Sequence, residues 1–145
     1  MSLTITVLGL PAPQGSKRHV GDGIMVESSK RVRPWRSDVK AAAERAIGTD
    51  WTPIKGPVSL TATFFFLRPR SHYRTGRFAD VLRDDAPVFA TSRACGDIDK
   101  LLRSTLDALT AAGVIVDDSQ VGMVITTKTY GTTSGATIAL TEVNP

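Results

Sequence analysis

The sequence predicts a single α+β domain in which a mixed β-sheet packs with two main helices, and three observations carry that expectation. The chain has 145 residues, a length at which roughly two-thirds of the unfolded surface can be buried around one core. Segments with the two-residue period of strands are interspersed with two segments of helical period. No internal repeat or linker divides the chain, so residues 1–145 read as one domain. A hydrophobic content of 41%, a charged content of 22%, 12 glycines and 8 prolines exclude disordered, collagen-like and coiled-coil classes.

The elements follow in order. Leu3 to Leu10 alternates apolar and polar residues, reads as a strand, and stops at Pro11-Ala-Pro13. Residues 11–36 form a basic, loop-like arm in which Gly21-Asp22-Gly23, between Val20 and Ile24, predicts a hairpin turn. A first helix is expected from about Pro34 to Ile47, with Ser37 as a cap and Gly48 at its end. Pro57 to Leu67 alternates Val58, Leu60, Ala62 and Phe64 with hydroxyl residues, the mark of a strand with one buried face. Residues 68–94 have no sustained period and carry six arginines; they read as a long loop of the kind that is functional or mobile. From Asp97 to Ala112, Ile98, Leu101, Leu102, Leu106 and Leu109 form an apolar stripe; Asp97 is placed to cap this helix and Gly113 to end it. Val114 to Val116 leads into Asp117-Asp118-Ser119, and two further strands are expected at residues 120–130 and 136–143.

No run reaches the roughly 18 to 20 apolar residues of a membrane helix, and the first residues lack the pattern of a secretory signal. A cytoplasmic protein without a membrane partner is expected. One cysteine, Cys95, excludes an internal disulfide, and with only His19 and His72 beside it there is no zinc-type ligand set. Cys95 reads as a small core residue and Trp35 as a core or interface anchor. The net charge of +4 is unevenly distributed: residues 1–93 hold 15 Lys or Arg against 8 Asp or Glu, and residues 94–145 hold 3 against 6. That division suggests a polyanionic partner for the first part and an acidic site in the second.

Asp97 and Asp99 open the second helix, and Asp117 and Asp118 follow the short segment after it. If that segment folds back along the helix, three or four carboxylates crowd one spot, an arrangement stable mainly when cations occupy it. Oxygen ligands without His or Cys favour magnesium or manganese, and such metals on a basic scaffold suggest phosphodiester hydrolysis. The residues also fit an ordinary reading. Aspartate suits the first turn of any helix, Asp99, Arg103 and Asp107 have the spacing of a salt-bridge ladder, and Asp117-Asp118-Ser119 is good turn chemistry.

The run from Asp97 to Val121 closely resembles the signature of RusA-type Holliday-junction resolvases: Asp-x-Asp at a helix start, Asp-Ala-Leu within the helix, Gly after it, then Asp-Asp-x-x-Val. Pro11-Ala-Pro-Gln-Gly-Ser-Lys-Arg18 resembles the proline and lysine segment after the family's first strand, and the chain is most similar to the phage and prophage versions. The resemblance implies a homodimeric, magnesium-dependent endonuclease, with manganese as a substitute, that binds four-way DNA junctions and nicks two strands symmetrically in recombination, replication or repair. It places the metal-binding aspartates on Asp97, Asp99 and Asp118, with Asp117 adjacent. The family pattern has Asn after the second aspartate and a catalytic Lys four residues beyond it, where this chain has Lys100 and Arg103. Arginine can neutralise a phosphate but does not readily release a proton, so the alternative is a non-catalytic branched-DNA-binding protein of the same fold.

Lys17, Arg18, Lys30, Arg31, Arg33 and Arg36 cluster before the first helix and are the candidate phosphate contacts. Surface solubility is the ordinary alternative for each.

Overall fold

The computed structural model describes residues 1–15, 17–19, 25–27 and 30–144. In chain order it contains β1 (Ser2–Leu8), β2 (Lys17–His19), β3 (Met25–Glu27), α1 (Val32–Ile47), β4 (Val58–Leu67), α2 (Ile98–Ala111), β5 (Val121–Gly131) and β6 (Gly135–Glu142). The main sheet has the order β1-β6-β4-β5; β6 is antiparallel to both its neighbours, and β4 and β5 are parallel. This is the α+β domain with a mixed sheet and two main helices that the sequence predicts.

Strand β4 carries the clearest alternation and takes the most buried place. Val58, Leu60, Ala62, Phe64 and Phe66 are buried on one face, joined there by Ile5 and Val7 of β1 and Ala136, Ile138 and Leu140 of β6. Both helices close over this face. Trp35 of α1 lies with its ring centroid 6.3 Å from that of Phe64. The opposite face meets solvent and exposes Leu67, Met123 and Ile125 among hydroxyl residues.

Strands β5 and β6 follow one another in sequence but flank β4 rather than pair. Residues 132–134 step across the end of β4, where Arg68 N–H donates to the Gly131 carbonyl at 3.1 Å and Leu67 N–H to Ser134 Oγ at 3.0 Å. The short strands β2 and β3 pair antiparallel, Lys17 opposite Glu27; the expected turn at Gly21-Asp22-Gly23 lies outside the described residues.

The structure corrects several local expectations. Helix α1 starts at Val32, and Ser37 sits inside it, not at its cap. Proline needs no N–H in a first turn, so Pro34 does not delay a helix whose Val32 and Trp35 both reach the core. The buried stripe of α2 is Leu101, Ser104, Thr105, Ala108 and Leu109, whereas Leu102 and Leu106 are half-buried and Ile98 is exposed. Helix α1 packs on α2 at this stripe, and small side chains allow the approach. Their hydroxyls are satisfied: Ser104 Oγ donates to the Ala12 carbonyl at 2.8 Å, and Thr105 Oγ1 accepts from Trp35 Nε1 at 3.3 Å. The segment 68–97 is not structureless. It contains 3-10 turns at Arg70–His72, Gly76–Phe78 and Arg93–Cys95, and a bridge between Tyr73 and Leu82. A bridge between Phe89 and Thr129 ties it to the outer edge of β5. Cys95 is buried, as expected of a core residue.

At Gly135 an added Cβ would collide with the Val7 carbonyl oxygen, whereas at Gly122 it would meet nothing within 4 Å. Gly135→Ala is therefore expected to destabilise the fold by about 1–3 kcal/mol through overpacking, and Gly122→Ala to stay within about 0.5 kcal/mol of the wild type. Urea unfolding of the two variants checks this.

Candidate functional site at the start of the second helix

Asp97 occupies the N-cap position of α2 with extended backbone, yet its side chain makes no cap hydrogen bond. Its Oδ2 instead lies 3.4 Å from Lys100 Nζ, one turn on. The carboxylate that sequence reasoning assigned to capping is thus held by a flexible surface lysine and not committed to the helix. Asp99 is exposed in the first turn, where the positive end of the helix dipole favours a negative charge.

The surroundings of this helix start are built from distant parts of the chain. Gly96, just before Asp97, has φ +82, and a Cβ there would sit 2.7 Å from the Pro13 ring, so glycine is required on two counts. Gln14 N–H donates to the Lys100 carbonyl at 3.1 Å, and Gln14 Oε1 is a buried acceptor without a partner among the described residues. From the far side of the arm, Arg31 donates to the Ala94 carbonyl at 3.3 Å. Both ends of the basic arm are therefore fastened beside the two aspartates.

The second acidic pair is placed differently. After α2, Gly113 turns the chain with φ +80, Val114 N–H returns to the Leu109 carbonyl, and residues 114–116 then run beside Ile54 through Ile54 N–H to Val114 O and Val116 N–H to Ile54 O. This pairing carries Asp118 to the start of β5, in a 3-10 turn (Asp118–Gln120) that leans on α2. Asp117 caps that turn: its Oδ2 accepts from Ser119 N–H at 3.0 Å, while Gln120 Oε1 accepts from Asp117 N–H at 2.8 Å. The bonds from Ser119 hold the Asp117 carboxyl below the ordinary carboxylate range. Asp118 is half-buried.

Among the described residues, no three of His, Cys, Asp and Glu converge to hold an ion. The crowding of three or four carboxylates expected from a segment folding back along the helix does not form within one chain, because that segment pairs with Ile54. The donor chemistry nevertheless suits magnesium, which is usually held by one or two carboxylates together with water and phosphate oxygens of the substrate rather than by an all-protein cage.

Among the described residues the cations divide into those with an internal partner and those without one. Arg103 is exposed, and the Asp99-Arg103-Asp107 ladder is not formed among the described residues; Asp107 lies 4.0 Å from Arg36 instead. Lys30 and Arg33 are exposed. Lys17 and Arg18 lie on β2, and their side chains fall outside the described residues. In the 68–94 segment Arg74 pairs with Asp84 and Arg83 with Asp85, each at 3.0 Å. Arg68 donates to the Pro87 carbonyl and stacks over Tyr130, which also receives the edge of His72. Much of that segment's charge thus holds the segment together. Sequence reading missed Lys128 on β5, whose Nζ donates to the Gly96 carbonyl at 2.6 Å. Its only signal was one lysine in an apolar and threonine-rich strand.

A helix start bearing two exposed aspartates, flanked by both fastened ends of a basic arm on an α+β scaffold, has the charge arrangement expected of a protein that works on a polyanion. Residues 9–141 match the family model Endodeoxyribonuclease RusA. The match covers most of the chain, which belongs to this family, the RusA-type Holliday-junction resolvases. No match was found among curated proteins. No helix among the described residues is long and apolar enough to cross a membrane.

The Asp117 carboxyl is expected to titrate below the ordinary carboxylate midpoint of about 3.9. Because the folded value is the lower one, its charge stabilises the fold above the unfolded pKa, and that contribution is lost as pH falls through the folded value. The advantage of wild type over Asp117→Asn in thermal unfolding should be present at neutral pH and disappear in acid, while NMR titration reports the midpoint directly.

Proposed function

We propose that this chain is a magnesium-dependent, structure-selective endodeoxyribonuclease that works as a homodimer and resolves four-way DNA junctions by paired symmetric nicks. The observation that carries this reading is the fastening of both ends of the basic arm, at Gln14 and Arg31, beside Asp97 and Asp99. Phosphates drawn to the arm would be delivered to the carboxylates. Membership in an endodeoxyribonuclease family supports the reaction class.

In this reading a magnesium ion, with manganese as a substitute, would be held by one or two carboxylates drawn from Asp97, Asp99 and Asp118, completed by water and the phosphate oxygens of the DNA, and Asp117 keeps the turn that presents Asp118. When bound, the ion supplies water activation and charge neutralisation at the scissile phosphate. Lys100 releases Asp97 to this task by giving up a surface ion pair that contributes little stability. Arg103 lies one turn beyond Asp99 and offers a fixed fork of donors to a phosphate. Lys17, Arg18, Lys30 and Arg33 bind phosphates along the junction arms without reading bases, as do Arg31 and Arg36 where their internal contacts yield. Two sites related by a two-fold axis match a substrate that needs two related cuts. A cytoplasmic setting, in the bacterial host if the chain is carried by a phage or prophage, accords with such a role.

Cleavage of a synthetic four-way junction, with linear duplex as control, tests the reading. Paired nicks in the junction alone, dependent on magnesium and lost in Asp118→Asn, are expected. Tight junction binding without nicks in magnesium or manganese would contradict it and favour the branched-DNA-binding alternative. In metal-free binding assays, the double variant Lys30→Gln/Arg33→Gln should bind every junction sequence more weakly and lower the salt dependence by about two units of slope.

A further inference from the structure

The β4–β5 register places Lys128 beside Phe64, on the face covered by the helices, where its neighbours on β4 are buried and apolar. A lysine on such a face needs a reason. Its ammonium reaches the Gly96 carbonyl at 2.6 Å in a part-buried setting, and no carboxylate among the described residues lies within ion-pair distance of it. The strand that carries it is fixed on both sides. Ala90 N–H donates to the Lys128 carbonyl at 3.0 Å and Thr129 Oγ1 to the Val88 carbonyl at 3.0 Å, while β4 pairs along the inner edge. The group it grips is the opposite kind of element: a glycine at positive φ, wedged against Pro13, whose carbonyl belongs to the peptide that leads into Asp97.

A neutral donor would satisfy one carbonyl. A cation at that place is opposed by the positive end of the helix dipole, so its cost has to be met by what the contact with the Gly96 carbonyl achieves. The carbonyl it grips lies in the peptide that joins the 3-10 turn Arg93–Cys95 to Asp97 at the start of α2.

We propose that Lys128 is a positioning residue of the nuclease site, clamping the Gly96–Asp97 peptide from the rigid sheet so that Asp97 and Asp99 hold a fixed orientation toward the DNA phosphate. The inference rests on the nuclease reading above. It has a consequence in the DNA-free protein as well, because the clamp exists without substrate.

The test compares Lys128→Met, which keeps the length and loses donor and charge, with Lys128→Arg, which keeps both. With a four-way junction and magnesium, Lys128→Met is expected to lower the cleavage rate constant about 100-fold, the scale of a displaced reacting group, while metal-free junction affinity and melting temperature stay close to wild type. Lys128→Arg should recover a substantial part of the rate. In the DNA-free protein, amide hydrogen exchange at residues 96–99 should accelerate in Lys128→Met and return toward wild type in Lys128→Arg. Wild-type cleavage by Lys128→Met, or unchanged exchange at residues 96–99, would overturn the proposal. So would a loss of cleavage matched by a loss of melting temperature in both variants. If the wild type itself cuts no junction, the nuclease reading fails and the exchange measurement alone decides whether the clamp exists.

Discussion

Strands β4 and β5 run parallel, and that single pairing dictates most of what surrounds it. A parallel pair cannot be joined by a tight turn; the chain must leave the sheet and return at the other end. Here the return is made by the 68–97 segment and α2, so a helix is laid across the buried face of β4 with its first turn facing the segment that follows β1. Pro13 and Gln14 then meet Gly96 and Lys100, and Arg31 meets Ala94. Asp97 and Asp99 thus lie at a helix start fastened to the segment after β1 and to Arg31 at the start of α1, as a consequence of sheet order.

The core beneath that helix is less apolar than its surroundings. Ser104 and Thr105 are fully buried between α1, α2 and the segment after β1, and an unpaired hydroxyl there would be costly. Each is paired, Ser104 to the Ala12 and Leu101 carbonyls and Thr105 to Leu101 and Trp35. These bonds fix the rotation of α2 about its axis and its distance from residue 12, a directional constraint that larger apolar side chains would not supply. The helix start is consequently held on the rigid part of the molecule.

The legible parts of the fold were those in which one residue pattern has one physical reading. The alternation of Val58 to Phe66 could only be a half-buried strand, and Gly113 after a helical run could only be its end. Where two signals competed, the sequence was ambiguous: Ser37 and Pro34 resemble a helix start, but the helix begins at Val32, which is pulled into the core together with Trp35. The stripe of α2 read from its leucines was offset because burial followed the close approach of α1, which favours Ser104, Thr105 and Ala108. At the site, Asp97, Asp99 and Asp118 could be picked out as candidates from their order along the chain. Their separation could not be read there, since it depends on residues 114–116 choosing Ile54 as a partner. Lys128 was illegible for the same reason: its contact with the Gly96 carbonyl spans residues far apart in sequence and exists only in the folded chain.

In the proposed nuclease the ion acts at the start of α2, together with the turn at Asp118. Manganese, added in small amounts to the isotope-labelled protein bound to a four-way junction, broadens the NMR signals of nearby amides and so locates the ion independently of any cleavage. Broadening that begins at residues 96–100 and 117–119 is the predicted result. Broadening centred instead on Asp80, Asp84 and Asp85, with residues 96–100 unaffected, would contradict it.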